Sequence, residues 1–135
     1  MPLVECRLSK VVMSESHDRQ VIMLQEVGGK RRFPIVIGFF EVFAIHRFVN
    51  NEVPPRPLTH ELIGSILEAL NVRIDRVIIN DLRDNTFYAR LMLQIDGRAL
   101  EVDSRPSDAI ALASQSHAPI FVEEHVLAGA AQDVE

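Results

Sequence analysis

Apolar and polar positions alternate from Leu3 to Met13. Val4, Cys6, Leu8 and Val12 fall on one side and Glu5, Arg7 and Ser9 on the other, the period of a half-buried strand. A polar turn at Ser14–Asp18 leads to the short apolar run Val21–Leu24, which Gly28-Gly29 ends. Phe33–Ile37 is continuously apolar and predicts a third strand, so the first third of the chain reads as a meander. Lys30-Arg31-Arg32 at its second turn is the only dense basic cluster and reads as a solvated hairpin tip. After Gly38 the period changes. Phe40, Phe43, Ala44 and Phe48 recur at helical spacing, with Glu41 in the first turn, where the helix dipole favours a carboxylate.

Pro54, Pro55 and Pro57 make Asn50–Pro57 a stiff loop. A second helix then runs to about Leu70, with Thr59 as N-cap and Ile63, Ile66, Leu67 and Leu70 as its apolar stripe. Arg73–Leu82 predicts a strand, Arg83–Thr86 a turn, and Phe87–Ile95 a long alternating strand. Asp96-Gly97 is the strongest hairpin signal in the chain. With those two residues at the turn, Ile95 faces Arg98, Leu93 faces Leu100, Leu91 faces Val102, Arg90 faces Asp103 and Tyr88 faces Arg105. A third helix follows over Pro106–Ser116, then a buried strand at Pro119–Val122 and a short last helix or turn over Glu123–Ala130. The order implies one domain over residues 1–130, with 131–135 a frayed tail. Its class is α/β of the mixed, α+β kind: a mixed sheet of hairpin strands covered by about three helices.

The 135 residues suit a single core. A single cysteine, Cys6, rules out an internal disulfide and suits a reducing compartment. No basic stretch followed by an apolar run opens the chain, and no run is long enough to cross a bilayer, so the expectation is a cytoplasmic protein without membrane contact. The formal net charge of −5 argues against a general nucleic-acid coat protein, because phosphate would have to bind at a local patch. Phe39, Phe40, Phe43 and Phe48 offer more aromatic surface than one helix of a small domain buries, which predicts a homo-oligomer through the Phe39–Phe48 helix.

The polar residues of interest gather at the strand-to-helix joint Val102–Ala113. Pro106 suits the first helical position and holds Arg105 extended. Free N–H groups at such a helix start favour an anion, and Arg105 adds a fork of donors. The structural alternative is that Ser107 or Asp108 caps the helix and Arg105 pairs with an acid. Arg56-Pro57 and Arg105-Pro106 both open helices, so both arginines are candidates to face one cleft. The predicted register also offers Asp103 a structural partner in Arg90.

Arg105–Ala113, with Phe33–Gly38, Arg56–Leu62 and Ala118–Val122, resembles the bifunctional nuclease family over nearly the whole chain. Gly38 and Glu41 match that family's first-helix motif, and Val42 departs from the alanine expected after the glutamate. The resemblance implies a nuclease acting on RNA or DNA. An acidic chain doing so would use Mg²⁺ or Mn²⁺ held by carboxylates. Candidate catalytic residues are Glu41, His60, Asp103, Arg105 and Asp108, with Arg56, Arg105 and Ser107 binding the ligand. A metal-free ribonuclease would need an acid and a base, and His46 with His60 is the obvious pair. Carboxylate candidates for holding the metal are Glu41, Glu61, Asp103 and Asp108, with His46 or His60 as a further ligand or proton carrier, but no cysteine–histidine cluster or diagnostic spacing marks the site. The competing class is a non-catalytic oligomeric module that holds an anionic ligand or a protein partner; a small-molecule phosphate hydrolase is a third.

Overall fold

A computed structural model describes residues 2–14 and 20–131. Seven strands form one mixed sheet in the order β3-β2-β1-β7-β4-β5-β6. Its members are β1 (Leu3–Val12), β2 (Gln20–Glu26), β3 (Arg32–Ile37), β4 (Arg73–Arg83), β5 (Thr86–Ile95), β6 (Arg98–Ser104) and β7 (Ile120–Glu123). The helices are α1 (Phe39–Val49), α2 (Thr59–Ala69), α3 (Pro106–Ser116) and α4 (Glu124–Ala130). The class is α+β. Pairing is antiparallel except between β4 and β7.

The meander is as predicted, with one change of parity. The β1–β2 register shifts between Leu8 and Lys10. A bulge adds a residue on one strand and turns the following side chains over. Val11 therefore packs against the core, and Val12, predicted inward, is exposed. The polar turn predicted at Ser14–Asp18 lies, apart from Ser14, outside the described residues, as does the tail beyond Ala131. The basic triplet is not simply solvated. Arg31 bonds Glu26 and Glu124, both at 2.8 Å, and ties the β2–β3 hairpin to α4.

Both later hairpins turn on residues with positive φ: Asp84 and Asn85 between β4 and β5, Asp96 and Gly97 between β5 and β6. Two such residues in succession match the right-handed strand twist, and asparagine, aspartate and glycine tolerate them best. The β5–β6 register is the predicted one from Ile95↔Arg98 to Arg90↔Asp103. It stops at Ala89↔Ser104, so Tyr88 does not pair with Arg105; its ring lies beneath the Arg83 guanidinium instead, at 4.3 Å.

Helix α3 is the centre of the molecule. Ala109, Ile110, Ala111, Leu112 and Ala113 are all buried. A helix apolar on most sides needs neighbours on most sides. Here α1, α2, β4 and β5 supply them. The alanines permit this close approach. Phe33 near one edge of the sheet reaches Phe87 near the other, with ring centroids 5.4 Å apart, so the sheet is strongly curled.

Two sequence expectations for the helices fail. Phe40, predicted in the stripe, is 82% exposed, and α1 turns Glu41, Val42, Ala44 and Ile45 inward. Phe40 and Phe43 stood at helical spacing, but so did Glu41 and Ile45, and α3 selected the second set. Thr59 is not the N-cap of α2: Leu58 holds that place and no side chain caps the helix. The stripe of α2 is only half used, since Ile66 and Leu70 remain exposed. No helix among the described residues is long and apolar enough to cross a membrane.

Candidate active site

Three helix starts meet at one place. Pro106 begins α3 and leaves Arg105 extended at φ −68°, ψ 143° as its N-cap. Glu41 lies in the first turn of α1, His60 in the first turn of α2 and Asp108 in the first turn of α3. Both α1 and α2 pack on α3, and this brings the four side chains into a continuous row. His60 Nε2 lies 2.9 Å from Asp108 Oδ1. Asp108 Oδ2 accepts from Arg105 Nε at 2.9 Å and Nη2 at 2.8 Å. The same Nη2 stands 2.8 Å from Glu41 Oε1.

The row explains a glycine. A Cβ on Gly38 would stand 2.7 Å from Glu41 Oε2. The backbone of Gly38 is ordinary extended chain, so the demand is for space beside the Glu41 carboxylate and not for a special φ.

His60 and Glu41 are buried, yet both line an open cleft of about 940 Å³ together with Arg105 and Asp108. Its remaining walls are mainly apolar, with Phe40 and Phe43 from α1, Leu58 and Ile63 from the α2 side, and Val102 from β6. A second cation, Arg47, reaches the cleft and forks onto Glu61 with two bonds of 3.0 Å. Burial pushes the Glu61 carboxyl up, but Arg47 together with backbone N–H groups at the helix start outweighs it, and the carboxyl is held below the usual range. Arg105 is held above its ordinary range, first by its hydrogen bond to Asp108 and then by the Glu41 charge as well. Both cleft cations thus already have carboxylate partners.

The structure gathers Glu41, His60, Arg105 and Asp108, and leaves three other sequence candidates outside the row. Asp103 lies in the cleft wall as part of β6. It faces Arg90 across the ladder, and the pleat sends both side chains away from the face that carries Leu91 and Val102. The ion pair expected between Arg90 and Asp103 is not formed among the described residues, although the register that suggested it is correct. Arg56 is exposed and does not line the cleft, so the two Arg-Pro starts do not converge. Ser107 is buried and opens on a separate groove of about 380 Å³ beside Gly38 and Phe87. The cap expected from Ser107 or Asp108 is absent, because Asp108 serves His60 and Arg105; pairing of Arg105 with an acid is what the structure shows. His46 is not among the cleft residues that surround His60. Arg47 was missed by sequence reasoning, since nothing in the spacing of Arg47 and Glu61 marks them as a pair.

The donor set does not suit Mg²⁺ or Mn²⁺ as it stands. The Arg105 guanidinium already spans the two carboxylates, and His60 takes the second oxygen of Asp108. Among the described residues no three histidine, cysteine or acidic side chains stand together as a metal cluster.

A family model described as the bifunctional nuclease domain matches residues 22–135, which include all four members of the row. The chain belongs to the bifunctional nuclease domain family. The chain is 40% identical over 126 residues to the uncharacterized protein Rv1829 of Mycobacterium tuberculosis, covering 93% of this chain and 75% of the mycobacterial one. It is 24% identical over 109 residues to bifunctional nuclease 1 of Oryza sativa subsp. japonica, covering 78% of this chain but 33% of the rice protein. Membership in the bifunctional nuclease domain family connects the chain with nuclease-related function.

Proposed function

We propose that this domain hydrolyses phosphodiester bonds of RNA or DNA in the cleft, with His60 as the proton carrier. The observation that carries the proposal is the row His60–Asp108–Arg105–Glu41 in the wall of an open cleft. Asp108 accepts from His60 Nε2–H and so fixes the tautomer that leaves Nδ1 as acceptor. Nδ1 takes the proton of an attacking water or sugar hydroxyl and returns it to the leaving oxygen. Arg105 uses Nε and one terminal nitrogen on carboxylates, and its exposed fork keeps a second terminal nitrogen for a phosphate oxygen. Glu41 holds that fork in place from α1. The step is written through protein groups, since among the described residues no three histidine, cysteine or acidic side chains are grouped to hold Mg²⁺ or Mn²⁺. Phe40 and Phe43 provide faces on which a base can stack.

A second reading is favoured by one specific observation. Arg47 and Arg105 are both matched by carboxylates, and the walls between them are apolar. Such a cleft also suits a non-catalytic module that binds a protein segment or an anionic ligand.

The test is single-turnover cleavage of labelled single-stranded RNA and double-stranded DNA by the purified protein, in EDTA and in Mg²⁺ or Mn²⁺. Identically purified His60→Ala and Asp108→Asn proteins run beside it. The proposal expects cleavage in EDTA, lost in His60→Ala by about 10²-fold or more and reduced in Asp108→Asn. Equal cleavage by wild type and variants, or cleavage only with metal, refutes it. No cleavage by any of them supports the binding module.

A further inference from the structure

The two edges of the sheet are unlike. Strand β3 carries Pro34, which has no N–H to offer a neighbour. Strand β6, at the other edge, contains no proline and is exposed along almost its whole length. Such an edge is a template for another strand. On its helix-facing side it shows Leu100 and Val102, opposite Leu93 and Leu91 of β5. Val102 also forms one wall of the cleft whose other walls carry Phe40, Phe43 and Leu58. Phe39 packs edge-on against Phe43 at 4.6 Å, and on α2 the apolar residues Leu62 and Ile66 are exposed as well.

We propose that β6 and the adjoining α1–α2 apolar face form a two-fold interface with a second copy of this chain, in which β6 pairs antiparallel with its own copy about Leu100. Three observations favour a second copy as the occupant. The first is area. At about 200 Å² for a wholly exposed aromatic side chain, the exposed parts of Phe39, Phe40 and Phe43 present roughly 300 Å². The half-exposed leucines, isoleucine and valine add a similar amount, which approaches the roughly 800 Å² each partner gives to a stable interface. The second is charge. The side chains that would meet, from Phe39, Phe40 and Phe43 to Leu100 and Val102, are uncharged, so two copies of an acidic chain approach there without like-charge repulsion.

The third is register. A two-fold axis through the sheet pairs residues of the same face, so the symmetry centre must fall on a residue. Centred on Glu101, the pairing sets that carboxylate against its own copy. Centred on Val102, it sets Glu101 against Asp103. Like charges directly opposite are destabilising. Centred on Ala99, most of the strand is unpaired. Centred on Leu100, it places leucine on leucine, Arg98 beside Val102 and Ala99 beside Glu101, with no like charges directly opposite. The interface shares Phe40 and Phe43 with the cleft walls and leaves out His60 and Asp108, and it is read by mass and crosslinking whatever the cleavage assay gives.

The experiment combines sedimentation equilibrium with cysteine crosslinking on the intact chain. Wild type is expected at twice 15.2 kDa in the micromolar range. Phe40→Glu is solvent-exposed in the subunit and keeps its circular dichroism, but its dimer weakens by about tenfold or more. Mild oxidation links Leu100→Cys to its own copy and leaves Glu101→Cys unlinked; the native Cys6 is buried and does not compete. A monomer at every concentration overturns the inference. So does a dimer indifferent to Phe40→Glu, or one linked through Glu101→Cys in preference to Leu100→Cys.

Discussion

Removing Arg105 should damage stability as well as the site, and the size of the loss can be worked out. The Glu41 side chain is 12% exposed, and Arg105, its ion-pair partner, is 65% exposed. Two charges about 4 Å apart interact by about 4 kcal/mol at an effective dielectric of 20. The exposed guanidinium is screened by water, which reduces the useful part to about 1–2 kcal/mol. Arg105→Ala also leaves a largely buried carboxylate without its cation, so the total loss is about 2 kcal/mol. For a domain of this size that lowers Tm by roughly 6–10 °C. Glu41→Gln keeps the shape and removes the charge, and should cost less than about 1 kcal/mol. In the Glu41→Gln background, Arg105→Ala should then cost under about 1 kcal/mol, a coupling of about 1–2 kcal/mol. Urea unfolding of the four proteins of this cycle measures it. Additive losses would show that Glu41 and Arg105 do not sense each other, and the account of the row would fail. The cycle also says how to read an inactive Arg105→Ala protein: only the fraction still folded speaks about chemistry.

Gly38→Ala should shift Glu41 off Arg105 and weaken activity by more than it lowers Tm, whereas the same change at an open extended position is stabilising by a few tenths of a kcal/mol. Arg31 holds the Glu26 and Glu124 carboxyls below their usual range, chiefly by side-chain hydrogen bonds. Their contribution is therefore complete above the ordinary carboxylate range, begins to fade as pH falls to it and is lost through the lowered folded-state values; Arg31→Met should flatten the acid limb of the stability profile, measured by urea unfolding from pH 7 downward. Burial, with a smaller push from Glu26, raises the Cys6 thiol to about 11, so a disulfide reagent at pH 8 should react with it only as fast as the protein opens, and a burst of reaction in the native state would contradict the packing of β1.

Much of this architecture was legible in the sequence because its signals are local. Asp96-Gly97 between alternating strands set a register that holds pair by pair to Arg90↔Asp103. Pro106 marked the first residue of α3. What escaped was decided at a distance. The bulge between Leu8 and Lys10 is a matter of pairing with β2, and the choice between two faces of α1 was made by α3. The site divides the same way. Arg105, Asp108, Glu41 and His60 were nameable as chemically able groups at helix starts. That they form one row, that Arg56 stays outside it and that the Asp103 side chain points to the far face depend on how three helices cross. The Arg47–Glu61 fork carried no sequence signal at all, since its partners stand on different helices.

The central claim is that the His60 imidazole moves the proton, and chemical rescue tests it most directly. His60→Gly would open a space beside Asp108 and remove only the ring. Cleavage of labelled single-stranded RNA by this variant would be followed in EDTA, with and without added imidazole, at matched ionic strength. The account predicts a loss of about 10²-fold or more and a partial recovery that saturates with imidazole, absent when Asp108→Asn is added. A fully active His60→Gly protein, or an inactive one that imidazole leaves unchanged while its fold is intact, would contradict it.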